Sequence, residues 1–83
     1  MNVENLREKI EESAKLLVDN PAIIRVVCDY NSRDDCTTYT VHAGEHAGQV
    51  IGREGRIAAA LRVVYKAVAS CHGLGRVYIE VKE

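Results

Sequence analysis

One short stretch of this chain has residue types that could bind a charged ligand. It contains two glycines separated by two residues, with two arginines beside them. Gly52 and Gly55 enclose Arg53, and Arg56 follows at once. Glycine adopts positive φ without a Cβ penalty, so Gly52 can end a preceding helix and Gly55 lets the backbone approach a ligand closely. A helix that starts after this turn presents unpaired N–H groups and the positive end of its dipole to the same spot. The turn is therefore predicted to bind phosphate.

The residues around the turn extend this prediction. A Gly-x-x-Gly pattern alone is common where one helix turns into another, so its meaning depends on context. Glu54 places an anion in the turn, whereas Arg62 and Lys66 continue a basic path along the following segment. Residues 49–66 hold four basic residues and one acidic residue, a net charge of +3, while the whole chain has a net charge of −1. Val50 and Ile51 have two possible roles. They lie either at the edge of an apolar surface that contacts nucleobases or in the protein core.

The spacing of apolar residues predicts the elements that must position the turn. Apolar residues three or four positions apart indicate helices, and strict alternation indicates strands. Asn2 is a candidate N-cap for the first helix, and Asn20 with Pro21 ends it. In chain order, the predicted elements are a helix over about residues 3–17, strands over 23–30 and 37–43, a short helix over 45–51, a longer helix over 56–70 and a strand over 76–82.

The three predicted strands form one mixed sheet. Residues 31–35 are typical of a hairpin connection, so the first two strands should be antiparallel. The last strand returns to the second through two helices, which permits a parallel pairing by a right-handed crossover. The long helix is predicted to bury a stripe made of Ile57, Leu61, Val64 and Val68. The expected architecture is α+β, with three helices on one face of the sheet.

This order of elements around a Gly-x-x-Gly turn resembles a type II KH domain. The chain is similar to the small stand-alone bacterial KH proteins of the KhpA/YlqC-like type, and the similarity is sharpest over residues 50–56, 58–62 and 77–81. It covers nearly all 83 residues, so we expect a single KH domain over residues 1–83. KH loops clamp the backbone of a short single strand.

The resemblance implies an RNA-binding protein that acts as an RNA chaperone or post-transcriptional regulator. It also implies a larger, Jag-like KH protein as partner and a link to cell envelope homeostasis. Three cysteines typical of free thiols and the lack of a long apolar run favour a cytoplasmic location. The residues expected to contact single-stranded RNA are Val50, Ile51, Gly52, Arg53, Glu54, Gly55, Arg56, Arg62 and Lys66.

An alternative interpretation is a protein interaction subunit with weak or no RNA binding of its own. On a helical wheel, Ala59 and Val63 lie opposite the predicted buried stripe, where a monomer usually places charge. Small apolar residues permit close approach of another helix. These two residues are therefore candidates for an interface in a homodimer, or in a heterodimer with a related KH protein.

Other classes of function are not expected. Apolar runs are too short to span a membrane, and the three cysteines lack the spacing of a zinc site or a disulfide framework. Cys71 and His72 are adjacent, but no nucleophile with an acid–base partner is indicated, so no enzyme, cofactor, metal or small-molecule substrate is predicted. The four tyrosines are not expected to form a stacking platform.

Overall fold

The computed structural model describes all 83 residues, and its elements follow the predicted order. Short 3-10 turns precede β1, α2 and α3. The α-helices and strands are α1 (Val3–Lys15), β1 (Arg25–Asn31), β2 (Cys36–His42), α2 (Ala47–Ile51), α3 (Arg56–Cys71) and β3 (Arg76–Lys82). None of the helices has the length and apolar character that crossing a lipid bilayer requires.

Three elements differ from the prediction by two residues at one end, and α2 is one of them, since it begins at Ala47 and not at residue 45. The first helix stops at Lys15, and β1 begins at Arg25 because Pro21 opens a 3-10 turn before it. Proline fits the first position of such a turn, since its missing N–H would have no partner there. Asn2 caps α1 as predicted, and it forms a reciprocal pair of hydrogen bonds with Asn5.

The sheet has the predicted mixed topology, with β2 in the centre. β1 pairs antiparallel with β2, and β3 pairs parallel with β2. The register places Tyr39 of β2 opposite both Cys28 and Ile79. The inward side chains of the strands pack against the three helices, while the other face of the sheet lies open. The α+β fold expected of a type II KH domain is confirmed.

The core centres on Tyr39, whose side chain is fully buried between the sheet and α1. Its hydroxyl donates a 2.9 Å hydrogen bond to the carbonyl oxygen of Val3, which fixes the start of α1 on β2. Leu6, Ile10 and Ala14 cover the same region from α1, and all three are fully buried. A buried hydroxyl is stabilising only when it has such a partner.

The buried face of α3 differs from the predicted stripe. Ala58, Tyr65 and Ala69 are buried, whereas Val64 is 53% exposed, so its predicted place in the core was wrong. Ile57, Leu61 and Val68 are partly buried, at the margins of this face. The physical reason is that alanine lets α3 approach the sheet closely, and the ring of Tyr65 fills the gap towards α1. Its hydroxyl bonds to Ser13 and donates to the carbonyl oxygen of Lys9.

Ionisation of Tyr39 should destabilise the fold in alkali. Burial raises the pKa of Tyr39 to about 12, from 10.0 in an unfolded chain. Below pH 10 both states hold the proton, whereas between pH 10 and about 12 only the unfolded chain releases it, so stability falls as pH rises. We expect the free energy of unfolding to fall by an amount on the order of 2 kcal/mol in this window.

Urea unfolding from pH 9 to pH 12 measures this loss, and Tyr39→Phe is the control. The variant lacks the ionising hydroxyl, so its stability should fall less steeply over the same window. An equal slope for both proteins would show that Tyr39 contributes nothing to the alkaline loss.

Candidate nucleic-acid interface

Gly52 fixes the turn between α2 and α3. Its N–H donates to the carbonyl oxygen of Gly48 at 2.9 Å and thereby closes α2. Its backbone angles are φ 79° and ψ 174°, a region that is essentially restricted to glycine. A Cβ at this position would lie 2.5 Å from Cγ1 of Ile57. Both the backbone and the packing therefore require glycine here, and the chain turns directly into α3.

Gly55 keeps the start of α3 open. It adopts the left-handed conformation, with φ 74° and ψ 12°, and it occupies the N-cap position without any side chain to cap the helix. A Cβ there would meet no atom within 4 Å. The N–H of Arg56, the first residue of α3, donates to the carbonyl oxygen of Arg53, and the positive end of the helix dipole lies behind this turn. This arrangement suits an anion that approaches the backbone.

Three charged side chains surround this helix end. Arg53 and Glu54 lie in the turn, and Glu54 has φ 57° and ψ 24°, which is uncommon for a residue with a side chain. Its carboxylate accepts from Nη2 of Arg56 at 3.2 Å, and both side chains are mostly exposed. An exposed ion pair of this kind is weak, so a phosphate can take the place of the Glu54 carboxylate.

Arg62 and Lys66 lie on the flank of α3 that faces the free edge of β3. Nε of Arg62 donates to the carbonyl oxygen of Ile79 at 3.0 Å, which satisfies one acceptor of this edge strand. Nζ of Lys66 lies 5.6 Å from the centre of the Tyr78 ring. The two side chains are one turn apart, so the structure places the predicted basic path beside β3.

The chain matches a known protein family over most of its length. A family model described as the KH domain of KhpA and KhpB matches residues 7–81. The chain belongs to this family. The RNA-binding protein KhpA of Caldanaerobacter subterraneus subsp. tengcongensis is 40% identical over 62 residues, which cover 75% of this chain and 81% of that protein. No solved structure matches.

The KhpA/KhpB match includes the whole turn and the basic flank of α3. Two of the predicted site residues, Val50 and Ile51, differ from each other in solvent accessibility. Val50 is fully buried in the core, so it cannot touch RNA directly. Ile51 is 37% exposed at the end of α2 and can border a groove. Because α2 has only one apolar face, the inward Val50 leaves its neighbour at the surface.

The contact that anchors α2 was missed by the sequence analysis. Oε1 of Gln49 accepts from the N–H of Asp19 at 3.2 Å, and its Nε2 donates to Oδ2 of the same residue at 3.0 Å. This pair ties α2 to the segment that follows α1. Residues thirty positions apart carry no local pattern, so no signal in a single sequence would reveal the pairing.

The two candidate interface residues, Ala59 and Val63, both lie on the exposed side of α3. Val63 is 70% exposed and adjoins Val64. The exposed apolar face of this helix is larger than expected, because it also includes Ala60, Val64 and Ala67.

Alanine substitutions at two glycines should have opposite effects on stability. Gly52→Ala forces a residue with a Cβ into the region reserved for glycine and against Ile57, so it should destabilise the protein by about 1–3 kcal/mol or more. Gly48→Ala is the matched control, since it lies within α2 with open space around it and should stabilise by about 0.5–1 kcal/mol. Urea denaturation measures both. If the Gly52→Ala variant were as stable as the wild type, the turn would accommodate a Cβ at position 52 without a loss of folding free energy.

Proposed function

We propose that this KhpA/KhpB family member binds single-stranded RNA, with the turn from Gly52 to Gly55 as the phosphate-binding loop. The observation that carries the proposal is the uncapped N-terminus of α3, where Gly55 leaves the backbone open to an anion. The name of the related RNA-binding protein from Caldanaerobacter agrees with it. Loops of this type in KH domains clamp the backbone of four nucleotides.

The distribution of charge supports contact at this loop. Residues 49–66 have a net charge of +3 within a chain of net charge −1, so attraction to phosphate is local. In the proposed complex, one phosphate lies at the positive end of the α3 dipole and accepts from backbone N–H groups that follow Arg56 in the first turn of the helix. Arg56 then exchanges its carboxylate partner Glu54 for phosphate oxygens, and Arg53 contacts a neighbouring phosphate. Glu54 limits the affinity because its charge lies in the same loop.

The groove continues along the edge of β3. Ile51 borders it from α2, and Arg62 stands beside Ile79 with part of its guanidinium group still free to donate. Binding here requires no catalytic group. The protein holds RNA by its backbone, and base edges near β3 provide the remaining contacts.

The family resemblance suggests the biological role. We propose a cytoplasmic RNA chaperone or post-transcriptional regulator that acts with a larger, Jag-like KH protein in cell envelope homeostasis. A domain with one small groove contacts few nucleotides, so a second RNA-binding protein in the same complex would raise the avidity.

Reversing the charge of the loop should abolish RNA binding. Arg53→Asp combined with Glu54→Asp places two carboxylates in the loop, where they repel phosphate, while the core is unchanged. Filter binding with a short single-stranded RNA measures affinity, and circular dichroism checks the fold. Retained binding by a folded variant would show that the loop is not the site.

Two control variants separate the loop from bulk charge. Lys9→Asp changes the net charge by the same amount on the exposed surface of α1, and it should leave affinity nearly unchanged. Glu54→Gln removes the competing carboxylate and frees Arg56, so it should tighten binding. Equal weakening by Lys9→Asp and the loop variant would mean that only net charge matters.

A second candidate function, a protein interaction subunit, is favoured by the outer face of α3. Ala60, Val63, Val64 and Ala67 are spaced three or four residues apart, so they form one exposed apolar stripe, and Ala59 borders it. A continuous stripe of this kind is typical of interaction surfaces. We propose that it pairs with a second copy of this chain or with the related KH protein.

Val63→Glu should convert a dimer to a monomer, because it would bury a carboxylate in the proposed interface. Light scattering measures the mass. Val27→Glu is the matched control, since Val27 is 51% exposed on the open face of the sheet and lies outside the stripe. A wild-type protein that is monomeric at high micromolar concentration would contradict the homodimer, and copurification would then test the heterodimer.

A further inference from the structure

A small pocket lies between the second half of α3 and the start of β3. It has a volume of about 230 Å³ and is lined by Lys66, Gly75, Arg76, Val77 and Tyr78. Two of these residues are cations and none is acidic. Cavities that hold whole drug-sized ligands are larger, roughly 300–1,000 Å³, so this pocket suits a single planar group.

Tyr78 provides an accessible aromatic surface in the pocket. Val77 and Ile79 point into the core, so Tyr78 projects from the opposite face of β3 and is 47% exposed. The ammonium group of Lys66 lies above its ring, 5.6 Å from the centre. A cation at an exposed ring is held weakly, so a flat apolar group can replace it.

The walls of the pocket are held in place by the hairpin between β1 and β2. Nη2 of Arg76 donates to the carbonyl oxygen of Asp34 at 3.1 Å, and its N–H donates to that of Asp35. The carboxylate of Asp35 lies behind Gly75 and accepts from the hydroxyl of Tyr30. The pocket is therefore formed before any ligand arrives, and its acidic neighbour already has a partner.

The pocket lies on the same path as the Gly52–Gly55 loop. The chain reverses between α3 and β3, so the end of α3 adjoins the start of β3. Arg56 and Lys66 are ten residues apart, which corresponds to about 15 Å along the helix. Arg62 lies between them on the flank that faces β3. A strand that leaves the loop along this edge passes Arg62 and then reaches Tyr78.

We infer that this pocket is a base-stacking subsite for the same RNA strand. One nucleobase lies on the ring of Tyr78, and Lys66 moves from the ring to the adjacent phosphate. The inference rests on the proposed function, and it revises the expectation that tyrosine stacking plays no part. A platform of several tyrosines is indeed absent, because Tyr39 and Tyr65 are buried, but one ring suffices for one base.

Affinity measurements on tyrosine variants test the subsite. Stacking of one base corresponds to about 1–3 kcal/mol, so Tyr78→Ala should bind a short single-stranded RNA about 5-fold to 150-fold more weakly. Tyr78→Phe keeps the ring and should remain within about two-fold of wild type. Val27→Ala, at an exposed residue of β1 on the other edge of the sheet, should have no effect. Wild-type affinity for Tyr78→Ala would overturn the inference.

A spectroscopic measurement distinguishes base stacking from charge. The chain contains no tryptophan, so Tyr78→Trp introduces a single tryptophan at the subsite, whose fluorescence can be excited separately from that of the tyrosines. RNA should quench its fluorescence at saturation, whereas an abasic ribose-phosphate strand of equal length should not, even when it is bound. Equal quenching by both strands, or by neither, would contradict stacking.

The loop variant separates the two proposals. If Arg53→Asp with Glu54→Asp abolishes binding and Tyr78→Ala leaves it unchanged, the loop is the site and the subsite is wrong. If the wild-type protein binds no RNA at all, both proposals fail. Loss of affinity in both variants, with quenching by RNA alone, is the result expected.

Discussion

The backbone conformation of Gly52 is the constraint on which the rest of the site depends. Ile57 occupies the space that any side chain at position 52 would need, and the angles themselves are closed to other residues. Because α2 stops there and α3 starts four residues later, both helices meet at one surface. The same turn sets the direction of α3, and this direction decides which side chains face β3.

Two consequences for binding follow from this geometry. The N-terminus of α3 opens on to solvent at Gly55, and the flank that carries Arg62 and Lys66 runs from there along the edge of β3. A protein with almost no net charge can therefore have a narrow basic path along α3 without having a large basic surface. Its attraction to RNA should depend modestly on salt, since few phosphates make contact. The outer side of α3 exposes apolar residues, among them Val63 and Val64.

The sequence predicted the elements and the sheet well because strict alternation and turn residues are local signals. The sequence also predicted the position of the turn, because the glycines and arginines that form it are neighbours in the chain. The buried face of α3 was predicted wrongly at Val64, because hydropathy favours valine whereas close packing on the sheet selected Ala58 and Ala69. The pair of Gln49 with Asp19 and the pocket at Tyr78 depend on residues brought together only by the fold.

The most direct test of RNA binding at the loop is an amide NMR titration with a short single-stranded RNA. We expect the largest shift changes at the N–H groups of residues 52–58, followed by those of β3 near Ile79, because phosphate contacts the open start of α3. Amides of α1 should hardly change. Shift changes confined to α1, or to the outer face of α3 alone, would contradict the account.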